Sequence, residues 1–304
     1  MAWKNDTSIK EFILLGLSTI PNVQNVLFVI FLVMYLVTII ANSLIILATV
    51  MDSRLHTPMY FFLRNLSFVD ICYSSTSVPR MLRDLVSANK TISYEECIAQ
   101  MCIVLSLGIT ECILLAVMAY DRYIAICYPL HYTTIITPIT CIMTAVGVWV
   151  FGFLASIFHV MLTWIVDLCG HNTINHFMCE LPEVLSLGCR KVTIVKSMIF
   201  VFSIVILIIP INFIIITFIK IIRAIFKMSA SEGRKKAIST SASHIIVVTL
   251  FYGSAMAAYL KPQSESAADT DKFIGIFYTI VTPLLNPLVY TLRNKEVKSA
   301  LKFC

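Results

Sequence analysis

Charged residues are scarce in this sequence. Asp, Glu, Lys and Arg make up 13% of its 304 residues, whereas a soluble globular domain has roughly 25%. Hydrophobic residues account for 59% of the chain. A chain of this composition has too little polar surface to face water, which argues against a soluble protein and predicts one that lies in a membrane.

The sequence also lacks internal repeats, low-complexity tracts and any long polar linker, so we expect a single domain over residues 1–304. No set of a nucleophile, a base and an oxyanion-binding group is readable in it, and no metal-ligand cluster is evident. We therefore expect neither an enzyme nor a nucleic-acid-binding protein, and no cofactor beyond an ion considered below.

Apolar runs are the dominant feature. A spanning helix needs about 20 apolar residues to cross roughly 30 Å of hydrocarbon, and it satisfies its own backbone hydrogen bonds. The first run is too long for a signal-peptide core. Together the runs predict an all-α membrane protein, a bundle of seven transmembrane helices at residues 26–50, 58–79, 98–120, 140–165, 195–222, 238–260 and 273–292.

An odd number of spans places the two ends of the chain on opposite sides of the membrane. Lys and Arg favour an extracellular N-terminus, residues 1–25, only slightly. Glycosylation sequons at Asn5 and Asn89 favour the same orientation, since modification occurs only on the lumenal side. The tail, residues 293–304, is then cytoplasmic, and the spacing of its apolar residues predicts a short amphipathic helix on the membrane.

Four of the ten cysteines lie in segments that this orientation makes extracellular, where disulfides persist. Four cysteines allow three pairings. We favour Cys97 with Cys179, which attaches the second outer loop to the third helix, and Cys169 with Cys189, which closes that loop on itself. Cys97 with Cys189 is the alternative.

Six distinct motifs occur once each along the chain. They are Phe12–Ser18, Leu55–Leu63, Met118–Tyr132 with its Asp-Arg-Tyr triplet, Lys236–His244, Phe251–Gly253 and Pro283–Val297. This set resembles the olfactory receptors, a branch of the rhodopsin-like G-protein-coupled receptors, over nearly the whole chain. Four positions depart from the family pattern: Ala41 stands in place of Gly, Thr217 and Phe218 in place of Ser and Tyr, and Ser241 in place of Cys.

The resemblance implies an activation switch at the inner face of the bundle. Asp121 and Arg122 close the third helix there, and a charge pair in a low dielectric holds a helix end until a partner competes for it. His244 is expected beside Arg122, whereas Phe218 lacks the hydroxyl that the family's tyrosine directs toward this arginine. The full set is Asp121, Arg122, Tyr123, Phe218, His244, Asn286, Pro287 and Tyr290.

Asp70 and Glu111 are acids inside predicted spans, and an intramembrane ionisable residue is a candidate functional group by default. With Asn42 and Asn286 they are expected to form one polar cluster. Two carboxylates in such a place do not both ionise comfortably, so either a proton or a sodium ion is expected between them. A hydrogen-bond network without an ion is the alternative.

Family geometry and helical spacing from Arg122 together give a candidate ligand pocket in the outer half of the bundle. Its predicted lining is mostly apolar, with a few hydroxyls and no charge: Val104, Leu105, Gly108, Ile109, Phe202, Ile206, Tyr252, Met256, Tyr259 and Thr279. About half of these residues are expected to touch ligand, the others serving as packing. A metal site at His176 and Cys179 is not expected, because Cys179 is the preferred disulfide partner.

The resemblance implies an odorant receptor in the plasma membrane, in the cilia of olfactory sensory neurons. It would bind small, mostly apolar volatile molecules and activate the stimulatory olfactory G protein to raise cyclic AMP. A transporter or channel is the alternative from another class, although the paired halves and interrupted helices typical of transporters are missing from the sequence.

Overall fold

The computed structural model describes residues 10–168, 171–190, 192–227, 232–260 and 268–293. Seven long helical segments run back and forth through it. Six are α1 (Pro21–Met51), α2 (Pro58–Val86), α3 (Tyr94–Cys127), α5 (Pro138–Thr163), α7 (Val192–Lys227) and α8 (Glu232–Tyr259). The seventh consists of α9 (Ala268–Ile276), a π-helical stretch (Phe277–Val281) and α10 (Thr282–Arg293). Two short helices, α4 (Tyr132–Ile135) and α6 (Leu181–Ser186), lie between them.

The seven-helix prediction is confirmed. Six of the segments are long and apolar enough to cross a membrane by length and composition. The exception is α2, whose residues include Arg64, Asp70, Arg80 and Asp84. Many α2 side chains, Asp70 and Asp84 among them, are nevertheless buried inside the bundle rather than facing lipid. Its low hydropathy therefore reflects polar groups that other helices cover.

Local sequence explains where several helices begin. Pro58 and Pro138 occupy first turns, where a missing N–H costs nothing because that group has no partner in the helix. α3 begins with a capping box, in which the Ser93 hydroxyl and the Glu96 side chain satisfy each other's backbone N–H groups. Each helix runs a few residues past at least one end of its predicted apolar run.

The centre of the bundle is α3, which packs against α2, α5, α7 and α8. Its contact with α5 depends on Gly152. A Cβ atom at that position would lie 2.2 Å from the Thr110 hydroxyl and 2.9 Å from the Ser106 carbonyl oxygen, closer than real Cβ atoms approach. Only glycine allows the two backbones to lie this near one another.

The outer loops form two small sheets, which are an addition to the all-α prediction. Strand β1 (Glu11–Leu14) pairs antiparallel with β2 (Thr91–Ser93) and parallel with β4 (Thr173–Ile174). Phe12 and Leu14, from the first motif, are fully buried beneath this sheet. The motif therefore anchors the N-terminal segment to the second outer loop.

A second sheet pairs β3 (Asp167–Leu168) with β5 (Gly188–Arg190). The Cys97–Cys179 disulfide is present, as predicted. Cys189 is also disulfide-bonded, and its predicted partner, Cys169, lies outside the described residues. Because Cys97 pairs with Cys179, the alternative of Cys97 with Cys189 is wrong.

Two other predictions fall partly or wholly beyond the described residues, namely the Asn5 sequon and the amphipathic tail from residue 294 onward. Asn89 is exposed in the turn between α2 and β2, where its side chain accepts a hydrogen bond from the Thr91 N–H. Glycosylation at either asparagine remains a prediction.

Replacing Gly152 with Ala is expected to force α3 and α5 apart and to destabilise the fold by about 1–3 kcal/mol, the usual cost of overpacking. Gly147→Ala, in the same helix, is the matched control, because nothing lies within 4 Å of a Cβ there. Thermal denaturation of the purified receptor measures both. An equal melting temperature for the two variants would contradict the close approach of α3 and α5.

Candidate functional site

A cavity lies in the bundle between α3, α5, α7 and α8, and it reaches α2 and the π-helical stretch. Its lining is mostly apolar. The free volume is about 70 Å³, less than half of the roughly 150 Å³ of an engineered cavity that admits benzene. A ligand larger than benzene therefore enters only if the surrounding side chains or helices move.

Few polar groups face this cavity. His159 Nδ1 lies 2.8 Å from the Ala155 carbonyl oxygen and donates to it, since a carbonyl can only accept. In the neutral ring, Nε2 is then an acceptor. Ser203 and Tyr259 add hydroxyl groups to the lining, which contains no Asp, Glu, Lys or Arg among the described residues.

Six of the ten residues predicted for the pocket line this cavity: Val104, Leu105, Gly108, Ile109, Ile206 and Tyr259. The other four do not. Phe202 packs against the rings of Phe158 and His159, so it supports the wall from behind. Met256 packs into the adjacent apolar core, and the Thr279 hydroxyl donates to the Gly275 carbonyl of its own helix.

The fourth, Tyr252, lies below the cavity. Its hydroxyl donates to the Cys112 carbonyl oxygen at 2.8 Å, and the Cys112 thiol, which lines the cavity, donates to the Ile206 carbonyl oxygen at 3.2 Å. At the floor of the cavity, Cys112 of α3 is therefore hydrogen-bonded to both α7 and α8. A ligand pressing on Cys112 acts on the contact between α3 and α8.

Sequence reasoning missed eight lining residues: Tyr73, Cys112, His159, Ser203, Leu207, Phe251, Ala255 and Tyr278. Cys112 and Ser203 were within reach of helical spacing, since Cys112 lies three residues from Ile109 in α3 and Ser203 lies three residues from Ile206 in α7. Tyr73 and His159 were not, because α2 and α5 had been assigned no part of the pocket. The proximity of those two helices is a property of the packed bundle.

The second outer loop is attached to helices that line the cavity, and it is held from two sides. The Cys179 disulfide joins the loop to α3, and the Cys179 N–H donates to Gln100 Oε1 at 3.0 Å. Gln100 Nε2 in turn donates to the Thr76 carbonyl oxygen of α2. Glu180 accepts a hydrogen bond from Tyr278, a residue of the cavity wall.

Burial shifts the pKa values of two titratable groups in this loop, His176 and Glu180, toward their neutral forms. Burial lowers the pKa of His176 to about 4, and burial raises the pKa of Glu180 to about 7, although the Tyr278 hydrogen bond opposes that rise. His176 Nε2 lies 3.8 Å from Glu180 Oε1. A neutral histidine and a partly protonated glutamate let this polar pair remain buried.

Deeper in the bundle, Asp70, Glu111 and Asn286 meet. Asn286 Nδ2 donates to both Asp70 oxygens, at 3.0 and 3.2 Å, and lies 3.2 Å from Glu111 Oε1. All three side chains are buried. Glu111 Oε2 and Asn286 Oδ1 have no hydrogen-bond partner among the described residues, so two oxygens remain available to a proton or a cation.

Asn42 was predicted to belong to this cluster, but its observed partners are different. Its amide donates to the carbonyl oxygens of Thr38 and Pro283, at 3.0 and 3.1 Å. Asn42 therefore fastens α1 to the start of α10. Pro287 lies inside α10, after the π-helical stretch, so the regular α-helical hydrogen-bond pattern of the seventh segment is interrupted at two places.

His244 connects three helices in the half of the bundle away from the cavity. Its Nε2 lies 3.1 Å from the Leu115 carbonyl oxygen of α3 and donates to it, while Nδ1 accepts from the Tyr290 hydroxyl of α10 at 2.9 Å. The ring also packs against Phe218 of α7, with 5.7 Å between ring centres. His244 is fully buried and engaged at both nitrogens.

The Asp121 and Arg122 pair does not form in this structure. Asp121 instead accepts a hydrogen bond of 2.7 Å from the Tyr132 hydroxyl of α4. Arg122 is only 6% exposed, and no described residue forms a hydrogen bond or salt bridge with its guanidinium. The physical reason is helical geometry: consecutive residues point in different directions, so Asp121 faces α4 while Arg122 faces the bundle.

Tyr123 lies at the edge of the bundle, half-buried. Its hydroxyl lies 3.4 Å from that of Tyr128, and the Lys220 ammonium lies 5.2 Å from its ring centre. Of the predicted switch residues, Phe218 and Tyr290 therefore both contact His244. Tyr123 belongs to the neighbouring surface.

Comparison with known proteins agrees with this arrangement. The model of the olfactory receptor family matches residues 31–303. The chain belongs to the olfactory receptor family. Human olfactory receptor 13D1 is 47% identical over 99% of this chain and 87% of its own length. Human olfactory receptor 2K2 is 48% identical over 99% of the chain and 95% of its own length, and mouse olfactory receptor 2B6 is 46% identical over 99% and 96%.

Membership of the family makes this protein an odorant receptor and a multi-pass membrane protein. It also confirms that the receptor is not an enzyme, because the family consists of G-protein-coupled receptors. Odorants and G proteins are the partners of olfactory receptors in general.

Gly108→Ala tests the cavity as the odorant site of this receptor. The added methyl group meets Tyr73 at an ordinary 3.7 Å, so the fold tolerates it, but it takes up space in a cavity of only about 70 Å³. An overpacking cost of roughly 1–2 kcal/mol predicts an agonist potency about tenfold lower, with a smaller loss for smaller agonists.

Gly253→Ala is the matched control, because Gly253 is exposed in α8 with nothing within 4 Å of its Cβ position. Dose–response curves in cells expressing each variant provide the measurement. Unchanged potency in Gly108→Ala for every agonist would place the odorant elsewhere.

Proposed function

We propose that this receptor binds small, mostly apolar odorants in the cavity beside Gly108 and Tyr259 and activates a stimulatory olfactory G protein, which raises cyclic AMP. The observation that carries the proposal is the cavity itself: it is apolar, its wall residue Tyr278 bonds to a loop fastened by a disulfide, and its lining residue Cys112 is hydrogen-bonded to α8. An odorant of roughly 10 heavy atoms gains about 0.5–0.8 kcal/mol per atom, which gives micromolar or weaker affinity.

The polar groups of the cavity favour odorants with one hydrogen-bonding group. The free acceptor Nε2 of His159 suits a hydroxyl donor, and the Ser203 and Tyr259 hydroxyls suit either a donor or an acceptor. A cationic amine is disfavoured, because no described lining residue carries a carboxylate.

In the proposed mechanism an odorant shifts the population between two helix arrangements. The cavity is too small for most odorants as it stands, so binding favours an expanded bundle in which α8 moves away from α3. That movement breaks the His244 bond to Leu115 and leaves Arg122 accessible to the G protein. Phe218 does not supply the hydroxyl of the family's tyrosine, so the open state of this receptor lacks that contact to Arg122.

The same proposal assigns an ion site to Asp70, Glu111 and Asn286. Either a proton or a sodium ion neutralises the two carboxylates, and the unpartnered Glu111 Oε2 and Asn286 Oδ1 are oxygen ligands of the kind that small hard cations prefer. The cluster touches α2, α3 and α10, so any change in its charge acts on the packing of those helices.

We place the N-terminus outside the cell and the inner ends of α3 and α8 in the cytosol. Support comes from the position of the disulfides at the sheet-covered end of the bundle, since disulfides persist outside the cytosol. This orientation fits a receptor of the plasma membrane in olfactory cilia, where the odorant arrives from outside.

The experiment is a cyclic AMP screen of cells expressing this receptor against a broad odorant panel. Responses to at least one uncharged odorant are expected, and Arg122→Ala should reduce the maximal response at least tenfold while surface expression survives. Arg83→Ala, an exposed arginine at the opposite end of the bundle, is the control and should respond normally.

A full response from Arg122→Ala would contradict the role of Arg122. Odorant-dependent ion flux through the purified receptor in vesicles without G protein would instead favour the transporter or channel alternative. Both outcomes are independent of which odorant proves active.

A further inference from the structure

Arg64 is a charged side chain inside a membrane-spanning helix that the activation mechanism does not use. It lies six residues from the start of α2, about 9 Å along the axis at 1.5 Å per residue. Its guanidinium lies 5.5 Å from the centre of the Phe61 ring. No acidic side chain among the described residues forms a salt bridge with it.

An unpaired cation within a span is costly, and such residues mark sites where a partner is supplied. A cation–π contact with Phe61 offsets only a small part of that cost. By contrast, the arginines at the other end of α2 have partners: Arg80 and Arg83 both contact Asp84. Arg64 therefore differs from the other α2 arginines in having no acidic partner in the part of the chain that the structure describes.

Arg64 lies where two clefts meet on the lipid-facing side of the bundle. One cleft, about 370 Å³ in volume, is bounded by the end of α1, the turn before α2 and the beginning of α5. Thr57, Phe61 and Ile142 contribute to its walls. The other continues toward the middle of the membrane along Phe68 and Trp149. Arg64 lines both clefts, which together make up one groove on this side of the bundle.

Two contacts of Trp149 hold the walls of the groove together. Trp149 Nε1 donates to Asn65 Oδ1 at 3.3 Å, which joins α5 to α2, and the Trp149 ring lies 5.9 Å from that of Phe68. The lipid-facing surface beside the groove is apolar: Phe68, Ile142 and Val146 are each about half exposed, at 51, 53 and 52%. An acyl chain has an apolar surface to follow in both directions from Arg64.

We propose that this groove binds an anionic glycerophospholipid, with its phosphate on Arg64 and an acyl chain along Phe68 and Trp149. The planar guanidinium pairs with a phosphate through two parallel hydrogen bonds. In the proposed orientation the groove opens to the cytoplasmic leaflet, which holds most of the anionic lipid of a plasma membrane. The inference rests on the proposed function for that orientation only, and its test requires no signalling.

The experiment uses the purified full-length receptor in nanodiscs of phosphatidylcholine with 10% of a phosphatidylserine that carries a photoreactive acyl chain. After illumination, mass spectrometry measures the labelled fraction and locates the adducts. Wild-type receptor is expected to be labelled on α2 or α5 near Phe61, Ile142 and Trp149. Arg64→Gln should reduce this labelling about tenfold, as expected for losing one charge-assisted contact.

Arg223→Gln is the matched control. Arg223 is an exposed arginine at the same end of the bundle, on α7, and its replacement removes the same charge outside the groove. Labelling of this variant within twofold of wild type supports a specific site. An equal fall in both variants shows general attraction of anionic lipid to a basic surface and overturns the proposal.

Three further results also overturn it: undiminished labelling of Arg64→Gln, adducts confined to other helices, or full displacement of the probe by cholesterol, which identifies a sterol groove instead.

If Arg64→Gln fails to fold, Arg64→Lys replaces it. A lysine keeps the charge but loses the paired geometry, so labelling is expected to fall several-fold, and labelling equal to that of wild type counts against the phosphate contact. Failure of this test leaves odorant signalling untouched, since the cyclic AMP screen measures signalling separately.

Discussion

Lipid tails cannot hydrogen-bond to polar groups within this bundle, so bonds to other groups of the protein, including groups on neighbouring helices, are especially stabilising. That constraint accounts for the contacts on which the rest of the structure depends. Asn286 holds both Asp70 and Glu111, His244 links α3 to α10, and Tyr252 links α8 to α3. Each bond joins helices that apolar packing alone would leave free to slide, because lipid tails and Leu side chains are almost equally apolar.

The same contacts explain how a weak ligand can control a large protein. The cavity floor and the His244 contacts both fasten α8 to α3, one above the other. A ligand that enlarges the cavity strains the upper contact, and a partner at the inner face competes for the lower one. Each individual bond contributes only about 0.5–1.5 kcal/mol, which is of the same order as the differential binding that a small odorant can supply.

Much of the fold followed from the sequence, because a helix in hydrocarbon must be long and apolar. The apolar runs predicted seven helices, and cysteine placement predicted the Cys97–Cys179 disulfide, which is present. The small sheets could not be foreseen, since β1 is four residues long and is ordered by strands from loops that are distant in sequence. The lengths of most helices were also underestimated, because these helices continue beyond the hydrocarbon.

The site was only partly predictable, for a different reason. Helical spacing placed Val104 and Gly108 on one face of α3, and both line the cavity. Spacing within one helix says nothing about which neighbouring helix comes near, so His159 and Tyr73 were missed. Nor does it give the partner of a polar group: Asp121 bonds to Tyr132 rather than to Arg122, and Asn42 bonds to two carbonyl oxygens rather than to the acids.

In the proposed mechanism, odorant binding separates the inner end of α8 from α3. Double electron–electron resonance between spin labels at Tyr128, just after α3, and Lys235, exposed in α8, measures this distance directly. Saturating agonist together with G protein is expected to shift the distribution to longer distances, and His244→Phe is expected to shift it in the same direction without agonist. One unchanged distance distribution under all of these conditions would contradict it.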